Sequence, residues 1–89
     1  MQISICGKRW NLRFIPRDRR LDHLAKCDPP DSPNKEIVIQ GGQSQLDELD
    51  CLIHEMAHAA NWNLDEGHVT QWATDVARTL IRLGWKKSS

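Results

Sequence analysis

Residues 44–61 have the sequence SQLDELDCLIHEMAHAAN, which combines a helix start signal with a helical apolar repeat. Ser44 precedes Asp47 by three positions, a capping-box arrangement that also places a carboxylate at the positive end of the coming helix. Apolar residues then recur at intervals of three and four positions, as Leu46, Leu49, Ile53, Met56 and Ala60. This spacing predicts a helix over 44–61 with one face in the core.

The same segment contains the pattern H-E-x-x-H, from His54 to His58. Residues four positions apart lie on one face of a helix, so both imidazoles can reach a single metal ion. Glu55 projects about 100° round the helix from His54, close enough to hold a metal-bound water without ligating the metal. The motif therefore predicts His54 and His58 as zinc ligands and Glu55 as the general base of a zinc metallopeptidase.

A catalytic zinc ion usually takes three protein ligands and leaves a fourth position for water. The candidates for the third ligand follow the helix and are Asp65, Glu66, His68 and Asp75. We favour His68, because an imidazole in the first turn of a helix that doubles back can face the two histidines. Glu66 remains the alternative. The metzincin pattern, a third histidine six positions after the second, is excluded because that position is Leu64.

The flanking sequence predicts a small sheet and a second helix. Residues 1–15 alternate apolar and polar side chains about a glycine, which indicates a β-hairpin. Residues 16–35 contain a proline cluster and are predicted to be a long loop, and the β-branched segment 36–40 is predicted to be a strand. Residues 66–83 carry a complete apolar stripe after a short connection, so this helix should pack back on the first one.

Length and composition limit the class of protein. Eighty-nine residues are enough for one domain, spanning 1–89, with one modest core. The formal net charge of zero argues against affinity based mainly on phosphate neutralisation, so nucleic-acid binding is only weakly supported, by the basic cluster 17–20. The three cysteines form no C-x-x-C pair, and no segment resembles a membrane span or a signal peptide. We expect a cytoplasmic protein that does not bind membranes.

Beyond these physical arguments, three parts of the sequence can be considered together: the strand residues 37–39, the segment 52–59, and the triplet Glu66-Gly67-His68 followed by Trp72. Together they resemble the core of the SprT-like (Spartan-type) metallopeptidases. This resemblance covers roughly residues 36–77. It implies a minimal, stand-alone zincin-like domain of the α+β class, in which a three-stranded antiparallel or mixed sheet packs against two main helices. It also implies His54, His58 and His68 as ligands of one Zn²⁺ per chain, and an aromatic packing role beneath the site for Trp72.

The chain departs from the SprT-like pattern in two respects. The connection between the helices is shorter than is usual in that family, and the cysteine-rich zinc ribbon that often follows the core is absent. A more distant similarity to the ImmA/IrrE-type peptidases implies a glutamate as third ligand, which keeps Glu66 open.

These patterns predict hydrolysis of peptide bonds in a polypeptide substrate by a zinc-activated water, with Glu55 as the base. The alternative is a zincin-fold binding or regulatory module that is slow or inactive in catalysis, for example a DNA-associated one. The segment 36–40 is either an edge strand that aligns an extended substrate or an ordinary paired strand.

Overall fold

The computed structural model describes residues 1–87, which form four strands and two helices. Their order is β1 (Gln2–Ile5), β2 (Lys8–Ile15), β3 (Ala25–Cys27), β4 (Glu36–Gln40), α1 (Gln45–Ala60) and α2 (Glu66–Arg82). The predicted α+β class, a mixed sheet packed against two helices, is confirmed. Helix α1 begins where the capping box predicts, because the Ser44 side chain accepts a hydrogen bond from the backbone N–H of Asp47.

The first two strands form the predicted hairpin. Ile5 lies opposite Lys8, so Cys6 and Gly7 make a two-residue turn. Both turn residues have positive φ, 51° and 79° respectively. This combination is the one that a tight type I′ turn requires between strongly twisted antiparallel strands, and a glycine at the second position adopts it without steric cost.

The sheet has one strand more than the three predicted. Its order is β1-β2-β4-β3, with β4 parallel to β2 and antiparallel to β3. The additional strand, Ala25–Cys27, lies inside the segment predicted to be a loop. Three residues are too few to show an alternating pattern, and this strand exists only because β4 supplies hydrogen-bond partners about a dozen positions further along the chain.

The inner strands and α1 enclose the main core. Its buried side chains are those of Ile5, Trp10, Leu12, Ile37, Ile39 and Ala59, with Leu52 and Met56 of α1 packed against them. Trp10 is 1% exposed, and its indole N–H reaches the backbone carbonyl of Asp28 at 3.2 Å. An aromatic ring of this size with a satisfied N–H fixes the middle of the sheet beneath α1.

Helix α2 packs on α1 and, within residues 1–87, makes no comparable contact with the sheet. Its buried residues are small: Val69, Ala73 and Ala77. Small side chains allow the two helices to approach closely. Because α1 packs on the sheet as well as on α2, it lies as a middle layer between them. Neither α1 nor α2, the helices of the described chain, is long and apolar enough to cross a membrane.

One buried polar side chain holds the connection between β2 and β3. Gln40, at the end of β4, is 2% exposed. Its Oε1 accepts a hydrogen bond from the backbone N–H of Asp18 at 2.8 Å, and its Nε2 donates to the carbonyl of His23 at 2.7 Å. Both contacts satisfy backbone groups of the segment that leads into β3, so Gln40 helps to set the position of that strand.

We predict that Gln40→Leu lowers the free energy of unfolding by about 1–3 kcal/mol, since it leaves two backbone groups without their partners. Urea denaturation followed by circular dichroism measures this change. The control is Gln71→Leu on the exposed face of α2, which should stay within about 0.5 kcal/mol of wild type. Equal stability of the two variants would contradict the anchoring role of Gln40.

We predict that the three free cysteines differ sharply in reactivity at pH 8. Burial, with the nearby carboxylates of Glu55 and Asp28, raises the pKa of the Cys27 thiol to about 12. Burial also raises the pKa of Cys51, whereas Cys6 is exposed. Because the thiolate is the reactive form, iodoacetamide should label Cys6 first and label the other two only in denaturant, as mass spectrometry can show. Labelling of Cys27 at the rate of Cys6 would contradict the packing of β3 against α1.

Candidate metal centre

Three side chains from the two helices converge on one point. His54 Nε2 lies 2.8 Å from Glu66 Oε1, and His58 Nε2 lies 2.7 Å from Glu66 Oε2. The two imidazole rings are 5.0 Å apart between centroids, as expected for positions four apart on a helix. One potential ligand atom from each of the three residues falls within 4.8 Å of the others. We refer to His54, His58 and Glu66 as the metal group.

The contacts inside the metal group are short, but they do not satisfy its nitrogens. Within residues 1–87, His58 Nε2 is buried and has no hydrogen-bond partner, although a Glu66 oxygen lies only 2.7 Å away. A buried polar atom without a partner is costly and unusual. Two imidazole nitrogens and a carboxylate that point at one position are the donors that a divalent cation would satisfy.

The turn between the helices places Glu66 in this group. The backbone N–H of Asn61 donates to the carbonyl of Ala57, and that of Leu64 donates to the carbonyl of Asn61. Asp65 is the N-cap of α2, and its side chain accepts the N–H of His68 at 2.9 Å. Glu66 is consequently the first residue of α2, at the end of the helix nearest the C-terminal half of α1.

The structure brings Glu66, and not His68, to the two histidines. His68 follows Glu66 by two positions, which is about 200° round a helix, so the two side chains leave α2 on opposite sides. His68 is exposed and lies outside the metal group. The geometry thus places Glu66, the alternative candidate for third ligand, beside the two histidines, and it places the favoured candidate His68 outside the group.

Trp72 does not pack beneath the site, the role implied by the SprT-like resemblance. It lies four positions after His68 on the same exposed side of α2, and its side chain is 48% exposed. The triplet Glu66-Gly67-His68 therefore fits the metal group only through its glutamate.

Asp50 has a structural partner on the other helix. Its Oδ2 accepts a hydrogen bond from the Thr74 hydroxyl at 2.7 Å, which ties α1 to α2 one turn before His54. This bond supports the helix pairing on which the metal group depends.

Glu55 borders the metal group without belonging to it. It lines the cavity of about 440 Å³ that also contains His54, His58 and Glu66. Burial raises the pKa of its carboxyl group, and the nearby charges of His54 and His58 act in the opposite direction. Glu55 is thus a half-buried carboxylate beside a candidate cation site, held by the same helix as two of the ligands.

The free edge of β3 runs along this cavity. On either side of β3, the Leu24 carbonyl accepts the N–H of Gln40 at 2.9 Å, and the N–H of Asp28 donates to the carbonyl of Glu36 at 3.0 Å. In an antiparallel pair such bonds involve alternate residues, so the backbone N–H and C=O groups of Ala25 and Cys27 point away from the sheet. Ala25 lines both the cavity of the metal group and the adjoining one next to His54 and Glu55.

Strand β4 is paired on both sides, which makes it the ordinary paired strand of the two predicted possibilities. Sequence reasoning missed β3, the edge strand that borders the site. It interpreted Trp62 as core or surface packing and Leu64 as part of the turn, whereas both line the same cavity as the metal group. The available signal for these two residues was their place in the turn that leads from the second histidine to Glu66.

Comparison of this chain with protein-family models, with curated proteins and with solved structures gives no match.

We predict that Glu66→Ala lowers zinc affinity at least about 100-fold, because loss of even an outer partner of a ligand costs 10–100-fold. His68→Ala, the matched control, should retain wild-type affinity because its side chain lies on the other side of α2. Competition with a chromophoric chelator measures both affinities, and metal analysis gives the stoichiometry. A loss of zinc by His68→Ala with retention by Glu66→Ala would restore the ligand set expected from the sequence.

Proposed function

We propose that this chain is a zinc-dependent metallopeptidase that hydrolyses peptide bonds with Glu55 as its general base. The observation that carries the proposal is one open cavity lined by the three side chains of the metal group and by Glu55. The candidate ligands, the candidate base and room for a substrate thus occur together on one side of α1.

The residues of the metal group suit a catalytic zinc ion. Two histidines and one glutamate form one of the ligand sets that hold zinc in hydrolytic enzymes, and three protein ligands leave a position open. Structural zinc sites, in contrast, are closed by four protein ligands. When bound, zinc would polarise a peptide carbonyl and lower the pKa of water towards about 7.

Glu55 would accept the proton of the attacking water and deliver it to the leaving amine. Its location supports this role, since the half-buried carboxylate lines the same cavity as the metal group. Its position directly after His54 keeps the carboxylate beside the metal group without making it a ligand. A site that only holds a structural ion has no use for such a neighbour.

The free edge of β3 supports a polypeptide as the substrate. An extended peptide can add to an open strand edge through backbone hydrogen bonds, which hold the chain without regard to its sequence. The outward N–H and C=O groups of Ala25 and Cys27 are available for this pairing next to Glu55. The edge would lay a peptide bond across the cavity of the metal group.

The metal group also bears on the two family resemblances. Glu66 as third ligand favours the more distant similarity to ImmA/IrrE-type peptidases over the SprT-like pattern, in which the third ligand is a histidine.

We further propose that the enzyme works in a reducing compartment such as the cytoplasm. The three free cysteines support this, since each lies in a different part of the fold.

We predict that Glu55→Gln binds zinc like wild type but cleaves peptides about 10²–10⁴-fold more slowly, the usual contribution of a general base. Cleavage of unfolded proteins and quenched fluorescent peptides by the zinc-loaded forms measures this difference. The control is Asp75→Asn, an exposed carboxylate on α2, which should cleave at the wild-type rate. Equal cleavage by wild type and Glu55→Gln, or none by either across diverse substrates, would instead favour a binding or regulatory module.

A further inference from the structure

We propose that Trp62 and Leu64 form a subsite for a bulky apolar side chain on the N-terminal side of the scissile bond. This inference rests on the proposed peptidase function and names the class of substrate: peptides with a large apolar residue shortly before the cleaved bond. It assigns a specificity role to the turn that also positions Glu66.

Trp62 and Leu64 present apolar surface inside the cavity of the metal group. Both line it together with His58 and Glu66, and the Trp62 side chain remains 43% exposed. Trp62 is not part of the core cluster beneath the sheet. What distinguishes Trp62 from the other exposed tryptophans Trp72 and Trp85 is that its ring lines a cavity shared with candidate metal ligands, where it can bind an apolar group.

The turn restricts the backbone that carries these two side chains. Besides the backbone bonds at Asn61 and Leu64, the Asn61 side chain accepts the N–H of Asn63 at 3.2 Å. Bonds on both sides of Trp62 restrict the backbone that carries its ring. A backbone restricted in this way reduces the conformational entropy lost when a ligand covers the turn, which favours binding.

The direction of β3 assigns this subsite to the N-terminal side of the substrate. Leu24, before β3, lines the cavity over the first half of α1 with Asp47 and Asp50, whereas Lys26 lines the cavity of the metal group near Trp62. Strand β3 therefore runs in the same sense as α1. A substrate paired antiparallel to β3, the slightly more stable arrangement, runs the opposite way. Its residues before the scissile bond then lie over Trp62 and Leu64.

Trp72 provides a matched control, since it is exposed to a similar degree, 48%, but lies on the outer side of α2 and away from the cavity. Removal of either indole takes away a comparable area of exposed aromatic surface. Only the removal of Trp62 should change the choice of substrate.

The first test is cleavage of a peptide library, randomised around a central position, by zinc-loaded wild type, Trp62→Ser, Trp62→Phe and Trp72→Ser. Mass spectrometry of the products gives the residues on each side of the cleaved bond. We expect wild type and Trp72→Ser to favour Leu, Phe and Met over Ser and Gly about tenfold within the three residues before that bond. Trp62→Ser should reduce this ratio to below about threefold, and Trp62→Phe should keep most of it.

The second test measures binding without turnover, with zinc-loaded Glu55→Gln as the background. Fluorescence anisotropy of labelled peptides that differ by one Leu or Ser should show about tenfold tighter binding of the Leu peptide. Addition of Trp62→Ser should abolish this difference, and addition of Trp72→Ser should not. Equal zinc content in all variants excludes loss of the metal as the cause.

The two tests separate the subsite from the proposed function. Cleavage without an apolar preference, with the preference after the scissile bond, or with a preference that survives Trp62→Ser overturns the subsite and leaves the peptidase in place. Absence of cleavage together with the Trp62-dependent difference in binding overturns the peptidase and keeps the apolar subsite. Absence of both effects overturns the subsite as well.

Discussion

The rotational position of α2 relative to α1 is the constraint on which the metal group depends. It is set by the buried residues Val69, Ala73 and Ala77, which pack on α1. In the turn 61–65 the Asp65 side chain caps the N–H of His68 and makes Glu66, three positions before Val69, the first helical residue. A start of α2 one or two residues later would leave Glu66 outside the helix. Capping is worth only about 1 kcal/mol in stability, yet here it keeps Glu66 on the helical face that meets the two histidines.

Helix α1 serves two layers at once. Leu52, Met56 and Ala59 pack towards the sheet, while α2 covers a second side with its small residues, Ala73 and Ala77 among them. The side of α1 that neither layer covers is a narrow strip, which carries His54, Glu55 and His58 along the open edge of β3. Because the helix is held on two sides, the strip has little freedom to rotate, and a site that needs side chains held to within a fraction of an ångström benefits from such support.

The local parts of this arrangement could be predicted from the sequence, and the relations between distant parts could not. Four features depend on residues only a few positions apart, so the sequence patterns that predict them are local. They are the Ser44 cap, the apolar repeat of α1, the hairpin about Gly7 and the Asp65 cap. Strand β3 has no local signal. Its hydrogen bonds come from β4, and its position is held by Gln40, whose two side-chain bonds reach back to Asp18 and His23.

The sequence by itself determined the H-E-x-x-H face, because residues four positions apart share one side of any helix, whatever surrounds it. It also limited the third ligand to a few residues after the turn. Only the tertiary structure shows that Glu66, and not His68, lies beside the two histidines, since this depends on how two helices are rotated against each other. The same holds for the free edge of β3 and the wall formed by Trp62 and Leu64. Both lie beside the histidines through long-range packing, which no spacing in the sequence encodes.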